Sequence, residues 1–372
     1  MRKKLGDFGF KILVGMVAIL IFIGAVYFAN DGFAQDETKQ MVQETARVID
    51  VISATVNQTE NGFFSGEMRL NVEIETGAYQ GIQKEVTYHL NQMRQTPLAV
   101  NDRVSVRLSL VEDAITGIHI QNPERREVVF VFFAVFLIVL ALLGGKRGIL
   151  SILSLIFTLA CVIFLLIPLM LQGYPVVLTT FLILIFVIIV SLTLLAGLSS
   201  KGISAMIGCI IGIMATAMLT HFAGTVAHIN GFHMEEIGLI LSTTEFQVTQ
   251  ASGLFVSGVL IASLGAVMDT AVTIASTIHE LRKNNKKMSK AKLFASGMNV
   301  GRDAMGTMSI TLILAFVGTS LNMIILIYSG GTSLNQLINS DFLVIEIIRG
   351  IAGSLGLILT IPAVAFISCV ID

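Results

Sequence analysis

Charged residues are scarce in this sequence, and cysteines are scarcer still. Only 13% of the 372 residues are Asp, Glu, Lys or Arg, whereas 54% are hydrophobic. Cys161, Cys209 and Cys369 all fall in apolar runs, which excludes a disulfide framework and any metal site built on cysteine spacing. Because a water-soluble domain of this size cannot bury so much apolar surface, the composition indicates a polytopic membrane protein.

The sequence also lacks the motifs of several enzyme classes. It contains no HExxH pair, no phosphate-binding loop and no nucleophile elbow. Two aspartates near the ends of different apolar runs do not make the catalytic dyad of an intramembrane protease. We therefore expect no enzymatic activity and no cofactor.

Eight apolar runs predict eight transmembrane helices. The first run, residues 12–28, follows a basic amino terminus and is longer than the core of a cleaved signal peptide, which favours an uncleaved anchor. The predicted fold is thus mainly α, with residues 1–29 as the amino terminus and first helix, and 127–372 as a seven-helix transmembrane domain. These seven helices are expected near residues 128–143, 149–171, 176–196, 203–223, 253–278, 304–328 and 342–371.

Residues 30–126 form the only sizeable polar region, and their pattern is that of β-strands. Apolar and polar residues alternate over 68–74 and 103–110, and more weakly over 48–56, 86–90 and 118–120. Turn residues separate these runs, so five short strands are expected to form a small all-β domain, an OB-like barrel, between the first two helices. The region lacks the basic face and interleaved aromatics of a nucleic-acid site, so we expect no nucleic acid as a partner.

In the loops that follow the β-domain, lysine and arginine occur in alternate loops only, which gives the chain an orientation. Lys146, Arg147 and Lys201 lie in two such loops, and six more basic residues lie in 282–292. The intervening loops 172–175, 224–252 and 329–341 contain none. The positive-inside rule then predicts a multi-pass protein of the cell (cytoplasmic) membrane, with both termini cytoplasmic and the β-domain extracytoplasmic.

Polar and ionisable side chains recur inside the last three runs, where burial in hydrocarbon is costly unless the group is paired or hydrated. These residues predict a transporter or channel for a small solute or ion. Arg349 is expected either to pair with Glu346, three residues before it, or to neutralise Asp269 across a narrow gap. Helix packing, with Asp269 satisfied by a hydroxyl or by Arg302, is the structural alternative. The candidates for the polar path are Asp269, Thr273, Arg302, Asp303, Thr307, Thr311, Asn322, Glu346 and Arg349.

A second functional class also fits the sequence. The protein could instead serve envelope assembly or signalling, with its β-domain binding a wall, lipid or protein partner.

Two further residue patterns occur outside the polar path. A helix-packing ridge is predicted by four small residues that recur every four positions, namely Ser204, Gly208, Gly212 and Thr216. Four residues around the next loop are weak metal-ligand candidates, although a solvated amphipathic loop is the simpler interpretation. They are His221, His228, His233 and Glu235.

Three sequence blocks resemble the YibE/F-like family of bacterial integral membrane proteins. They are GAVMDTAVTIASTIHEL (265–281), SGMNVGRDAMGTMSITLILAFVG (296–318) and EIIRGIAGSLGLILTIPA (346–363). The resemblance covers the chain from about residue 128 and extends more loosely to GAYQG (77–81) and VNDRV (100–104), although similar barrels favour glycine where this chain has Asn101.

The resemblance implies a long form that carries the β-domain and a short form that lacks it. We therefore expect a homodimer, or a heterodimer with a shorter YibE/F-like paralogue, packed through the ridge of Ser204, Gly208, Gly212 and Thr216. The resemblance implies little about activity or about which solute or envelope ligand is bound.

Overall fold

The structure is a computed structural model that describes residues 20–30, 41–60, 62–91, 96–111, 114–229, 238, 250–331 and 333–371. The chain divides into two compact units, one formed by Ala34–Leu140 and the other by Met1–Phe33 together with Ala141–Asp372. The strands are β1 (Met41–Gln58), β2 (Phe64–Ile74), β3 (Gln83–Leu90), β4 (Arg103–Val111) and β5 (Ala114–Pro123). The helices are α1 (Leu20–Asn30), α2 (Arg126–Cys161), α3 (Ile167–Leu171), α4 (Val176–Ala196), α5 (Ser200–Val226), α6 (Ala251–Asn284), α7 (Lys290–Thr319), α8 (Leu321–Ser329), α9 (Leu334–Ile338) and α10 (Asp341–Ile371).

The five strands form one antiparallel sheet in the order β3-β2-β1-β4-β5, and β3 also lies close to β5, so the sheet nearly closes into a barrel. The predicted alternation is confirmed, because Leu70 and Val72 of β2 and Val104 and Val106 of β4 are fully buried. β1 pairs with both β4 and β2, and its register shifts twice between Val48 and Ser53. Such bulges bend a strand, which lets one long strand serve both sides of a barrel.

The turn before β4 contains the residue where the sequence departs from similar barrels. Asn101 has a φ of 75°, in the left-handed region that glycine adopts freely and asparagine tolerates better than most residues. Its backbone N–H donates to the carbonyl of Val48 at 2.8 Å, and the Asp102 carboxylate accepts from the Ala99 N–H at 2.8 Å. Asparagine therefore supports the turn that glycine was expected to form.

Within the described residues, six helical stretches are long and apolar enough to cross a membrane, whereas the sequence predicts eight spans. They are Arg126–Leu171, Val176–Ala196, Ser200–Val226, Ala251–Asn284, Lys290–Thr319 and Asp341–Ile371.

Two of the predicted spans belong to one stretch of 46 residues, and the first span is described only over α1. At about 1.5 Å per residue that stretch would measure about 69 Å, roughly twice the hydrocarbon thickness of a bilayer. Gly145 interrupts it with φ 52° and ψ −134°, beside Lys146 and Arg147, and a π-helical turn follows at Val162–Leu166. The hydropathy pattern identifies two apolar runs here but cannot show that they are joined by helix.

The last helix, α10, lies at the centre of the second unit and packs against α5, α6 and α7. Close approach depends on small residues, because a Cβ added at Gly208 or Gly212 of α5 would overlap Val364 or Thr360 of α10. A Cβ added at Gly301 of α7 would likewise overlap Ile361. On the other side of α6, Thr180 of α4 donates to the Ser257 hydroxyl at 2.8 Å. The core is thus built by backbone proximity as much as by large side chains.

Candidate polar site on α6 and α7

The helix α7 begins well before the apolar run that predicts it. The Ser289 hydroxyl caps its amino end by accepting from the Lys292 N–H at 3.4 Å, and Leu293, Gly297 and Gly301 are buried against the core. The predicted start at residue 304 is therefore wrong by almost four turns, because capping and packing extend the helix through polar sequence. As a result Asp303 lies in the middle third of α7 rather than at its beginning.

Two contacts and one hydrogen bond fix the register between α6 and α7, which are joined by residues 285–289. A Cβ added at Gly297 would meet Ile278, and one added at Gly301 would meet Ile274, so these residues of α7 and α6 lie side by side. One side-chain contact lies further along, where the Thr270 hydroxyl is 2.9 Å from the Met308 sulfur. These pairs have nearly constant sums of residue numbers, as antiparallel helices require.

The register places the two aspartates of these helices one helical turn apart. It sets Asp303 level with Thr273, and Asp269 level with Thr307. Four residues separate Asp269 from Thr273, so the aspartates differ in height by about 6 Å. Asp269 also lies in the middle third of its helix.

Five of the predicted candidates are exposed on this helix pair, and we refer to them as the polar face. Among the described residues, neither aspartate has an ion pair or a side-chain hydrogen bond. The hydroxyls of Thr307 and Thr311 donate to carbonyls of their own helix, at 3.1 and 2.8 Å, which leaves their oxygen lone pairs free to accept. The polar face consists of Asp269, Thr273, Asp303, Thr307 and Thr311.

Arg302 and Asn322 lie beside the polar face rather than in it. Arg302 is exposed and donates to the Asn299 side-chain oxygen at 3.1 Å, one turn earlier on α7. Asn322 belongs to α8, which is separated from α7 by the non-helical Ser320. The single seventh span predicted from the sequence is thus two helices, and Asn322 lies on the second of them, whereas Asp303 and Thr307 lie on the first.

Glu346 and Arg349 form a separate buried pair on α10. The Arg349 guanidinium lies 2.6 Å from the Glu346 carboxylate, and its carbon lies 5.9 Å from the centre of the Phe255 ring. Their side chains are only 10% and 20% exposed. Of the two expected arrangements, the structure has the pairing within α10, and it does not place Arg349 as the counter-ion of Asp269.

The glycine ridge of α5 is occupied within the chain. Ser204, Gly208, Gly212 and Thr216 are all buried, and a Cβ added at Gly356 of α10 would overlap Thr216. The ridge is therefore a contact between α5 and α10, and it offers no free surface to a second copy or a paralogue.

The metal-ligand candidates are not brought together in the part of the chain that the structure describes. His221 lies exposed on α5, and His228 follows that helix with a φ of 55°. His233 and Glu235 lie outside the described residues. Among the described residues no group of three His, Cys, Asp or Glu side chains is placed to hold a metal ion.

The helical unit that contains the polar face also carries the family signature. A family model described as YibE/F-like protein matches residues 132–371. The chain belongs to the YibE/F-like family. The matched YibE/F-like region contains α3–α10 and most of α2, and therefore the whole polar face, whereas the five strands precede it. Comparison with curated proteins and with solved structures gave no match.

Sequence reasoning identified the residues of the polar face but not their arrangement. The four-residue spacing on each helix was visible, whereas the height of Asp303 depended on a helix start that hydropathy does not mark. The exposure of the face was also invisible, since it depends on which side of each helix α10 covers. Gly258, Gly265 and Gly306 lie on or beside this exposed side with nothing within 4 Å of an added Cβ, and only the structure distinguishes them from buried glycines.

Proposed function

We propose that the protein moves a proton or a small cation across a membrane along the polar face of α6 and α7. The observation that carries the proposal is the exposure of two carboxylates, Asp269 and Asp303, which have no ion pair among the described residues and lie in the middle thirds of membrane-length helices. A carboxylate in contact with lipid at that depth would be strongly disfavoured, so the face requires water or protein beside it. Ionisable groups at such positions commonly mark ion and proton pathways.

The chemistry of the polar face favours a cation over an anion. Its side chains contribute carboxylate and hydroxyl oxygens, which are the ligand types that hard cations prefer and that protons can visit in turn. Arg349 is the basic side chain that could have attracted an anion, but it is paired with Glu346 on α10, outside the polar face. Arg302 is the one basic side chain beside the face among the described residues, and it lies next to Asp303 rather than alone.

The orientation follows from the basic residues. Arg282 and Lys283 end α6, and Lys290 and Lys292 open α7, so the turn between them belongs on the cytoplasmic side under the positive-inside rule. If the Arg126–Leu171 stretch crosses the membrane twice by turning near Gly145, the β-domain is extracytoplasmic. The proposed location is the cell membrane of a bacterium.

Flux through proteoliposomes tests the proposal. The purified full chain is reconstituted, a potassium diffusion potential is imposed with valinomycin, and internal pH or sodium dyes report entry. Vesicles that contain the wild-type protein should take up protons or sodium ions faster than empty vesicles do. Asp269→Asn should lower the flux by about tenfold or more, because the neutral amide no longer stabilises the cation, while changing the unfolding free energy by no more than about 0.5 kcal/mol.

Glu280→Gln is the matched control. Glu280 is an exposed carboxylate on the same helix, but it lies near the basic end beside Arg282. Its flux should equal that of the wild type. Wild-type vesicles that transport neither ion, or an Asp269→Asn variant with full flux, would contradict the proposal.

A further inference from the structure

The outward side of α7 has the composition of a helix contact, but its side chains from Asn299 to Ile310 are exposed. Only four of its 30 residues are buried, namely Leu293, Gly297, Gly301 and Leu312. The opposite side presents Asn299, Arg302, Asp303, Gly306 and Ile310, which are all exposed. An arginine and an aspartate side by side on a lipid-facing surface would be costly, and a glycine there loses helix stability of about 1 kcal/mol without allowing a close contact.

The buried glycines of the same chain show what such positions do when they have a partner. At Gly208, Gly212 and Gly301 an added Cβ would overlap a side chain of α10, so each of these glycines allows a close helix approach. At Gly306 an added Cβ would meet nothing within 4 Å. The outward side of α7 is therefore shaped for a neighbouring backbone that the described part of this chain does not supply.

The charges on this side identify the neighbour. Successive residues of an α-helix are about 100° apart, so Arg302 and Asp303 flank the outward direction, one about 50° to each side, with Gly306 between them one turn later. When two parallel helices are related by a two-fold axis along their length, a residue on one flank faces the opposite flank of the partner at the same height. Arg302 of one copy then faces Asp303 of the second copy, and the reverse pair forms on the other flank.

We propose that this side of α7 is the contact surface for a second copy of the same chain, with two reciprocal Arg302–Asp303 ion pairs about a two-fold axis near Gly306. The surface is complementary to itself in charge, and it needs no second kind of protein. It replaces the α5 ridge as the site of dimerisation, because α10 already covers that ridge. The proposal does not rest on cation transport: it shares Asp303 with the polar face, places that carboxylate in an ion pair between copies, and leaves Asp269 outside the contact.

Cysteine crosslinking in native membranes tests the contact, in a host that lacks other YibE/F-like proteins. Gly306→Cys places a thiol next to the axis, while the three native cysteines are buried and stay in every variant. Oxidation with copper phenanthroline should convert Gly306→Cys to a band of twice the mass. Ile189→Cys, at an exposed apolar position in the middle of α4, should remain at the mass of one chain.

Charge variants test the ion pairs against simple proximity. In the Gly306→Cys background, Arg302→Asp places like charges opposite each other and should lower the crosslinked fraction at least about tenfold. Adding Asp303→Arg exchanges the two charges, restores both pairs and should restore the crosslink. Asp269→Asn should leave crosslinking unchanged, so that a failure of the transport proposal leaves this result intact.

The opposite results overturn the contact. They are an absence of crosslinks at Gly306→Cys, crosslinks at Ile189→Cys that are equally efficient, or a charge exchange that leaves the crosslinked fraction as low as Arg302→Asp alone.

Discussion

Three acidic residues of the helical unit have different surroundings, although their sequence contexts look alike. Asp269 and Asp303 are exposed and have no ion pair among the described residues, whereas Glu346 is buried and held by Arg349 at 2.6 Å. Removing one member of a buried pair leaves an uncompensated charge, which costs far more than the pair contributes. We therefore expect Glu346 and Arg349 to support the fold of α10, and we propose that the two aspartates serve transport.

A fourth acidic residue, Glu124, connects the β-domain to the start of α2. Its carboxylate accepts from the side chain of Arg126 at 2.8 and 2.9 Å and from the Arg126 backbone N–H at 2.9 Å, with a weaker contribution from Thr45 at 3.3 Å. These hydrogen bonds, those from the Arg126 side chain above all, lower the pKa of Glu124 from 4.5 to about 2, against the opposing effect of burial.

The lowered pKa of Glu124 makes the stability of this junction depend on pH. A carboxylate with a lower pKa in the folded state stabilises the fold fully above pH 4.5, and this contribution is lost as the pH falls through about 2. Glu124→Gln should therefore be less stable than the wild type at pH 6, and the difference should shrink at pH 2.5. Hydrogen exchange of β1 and β5 amides in the full chain measures this. A difference that is constant with pH would refute the assignment.

At the scale of the helices, glycines divide into those that allow contacts within the chain and those that do not. Gly208→Leu with Gly212→Leu should lower the unfolding free energy by at least about 1–3 kcal/mol for each site, because both side chains would enter α10. The sequence alone assigns this ridge to a dimer contact and therefore predicts a different outcome, monomers that remain inserted in the membrane. Gly265→Leu on α6, where nothing lies within 4 Å of an added Cβ, is the matched control and should change stability little. Thermal unfolding in mild detergent would distinguish the two outcomes, and an unchanged midpoint for the double variant would contradict the packing.

The elements were predictable from sequence to different degrees for physical reasons. Period-two alternation marks strands directly, so the sequence alone predicted the buried faces of β2 and β4 correctly. Hydropathy marks only the apolar part of a helix, so it missed the polar first turns of α7 that Ser289 caps. Hydropathy also could not show that Ser320 ends α7, or that α2 continues to Gly145 and beyond.

At the scale of the whole molecule, the surfaces that matter for function are ones that no local sequence pattern reveals. Gly208 and Gly212 are four residues apart and Gly258 and Gly265 are seven apart, so each pair shares one face of its helix, yet α10 covers the first pair only. Long-range packing decides which glycine stripe is internal. The exposure of the polar face and of the outward side of α7 follows from the same cause, and both proposals rest on that exposure.

The most direct test of the central claim is the hydration of the polar face at membrane depth. Thr307→Cys and Ile189→Cys place thiols on exposed sides of α7 and α4, and a small impermeant methanethiosulfonate reagent is added to both faces of native membrane vesicles. The thiolate attacks the sulfur of the reagent, forms a mixed disulfide and displaces methanesulfinate. Thiolate forms in water and is suppressed in hydrocarbon, where each unit by which the thiol pKa rises lowers the thiolate population tenfold. We predict that Thr307→Cys reacts at least about tenfold faster than Ile189→Cys. Equal and slow reaction at both positions would contradict the claim that water reaches the polar face.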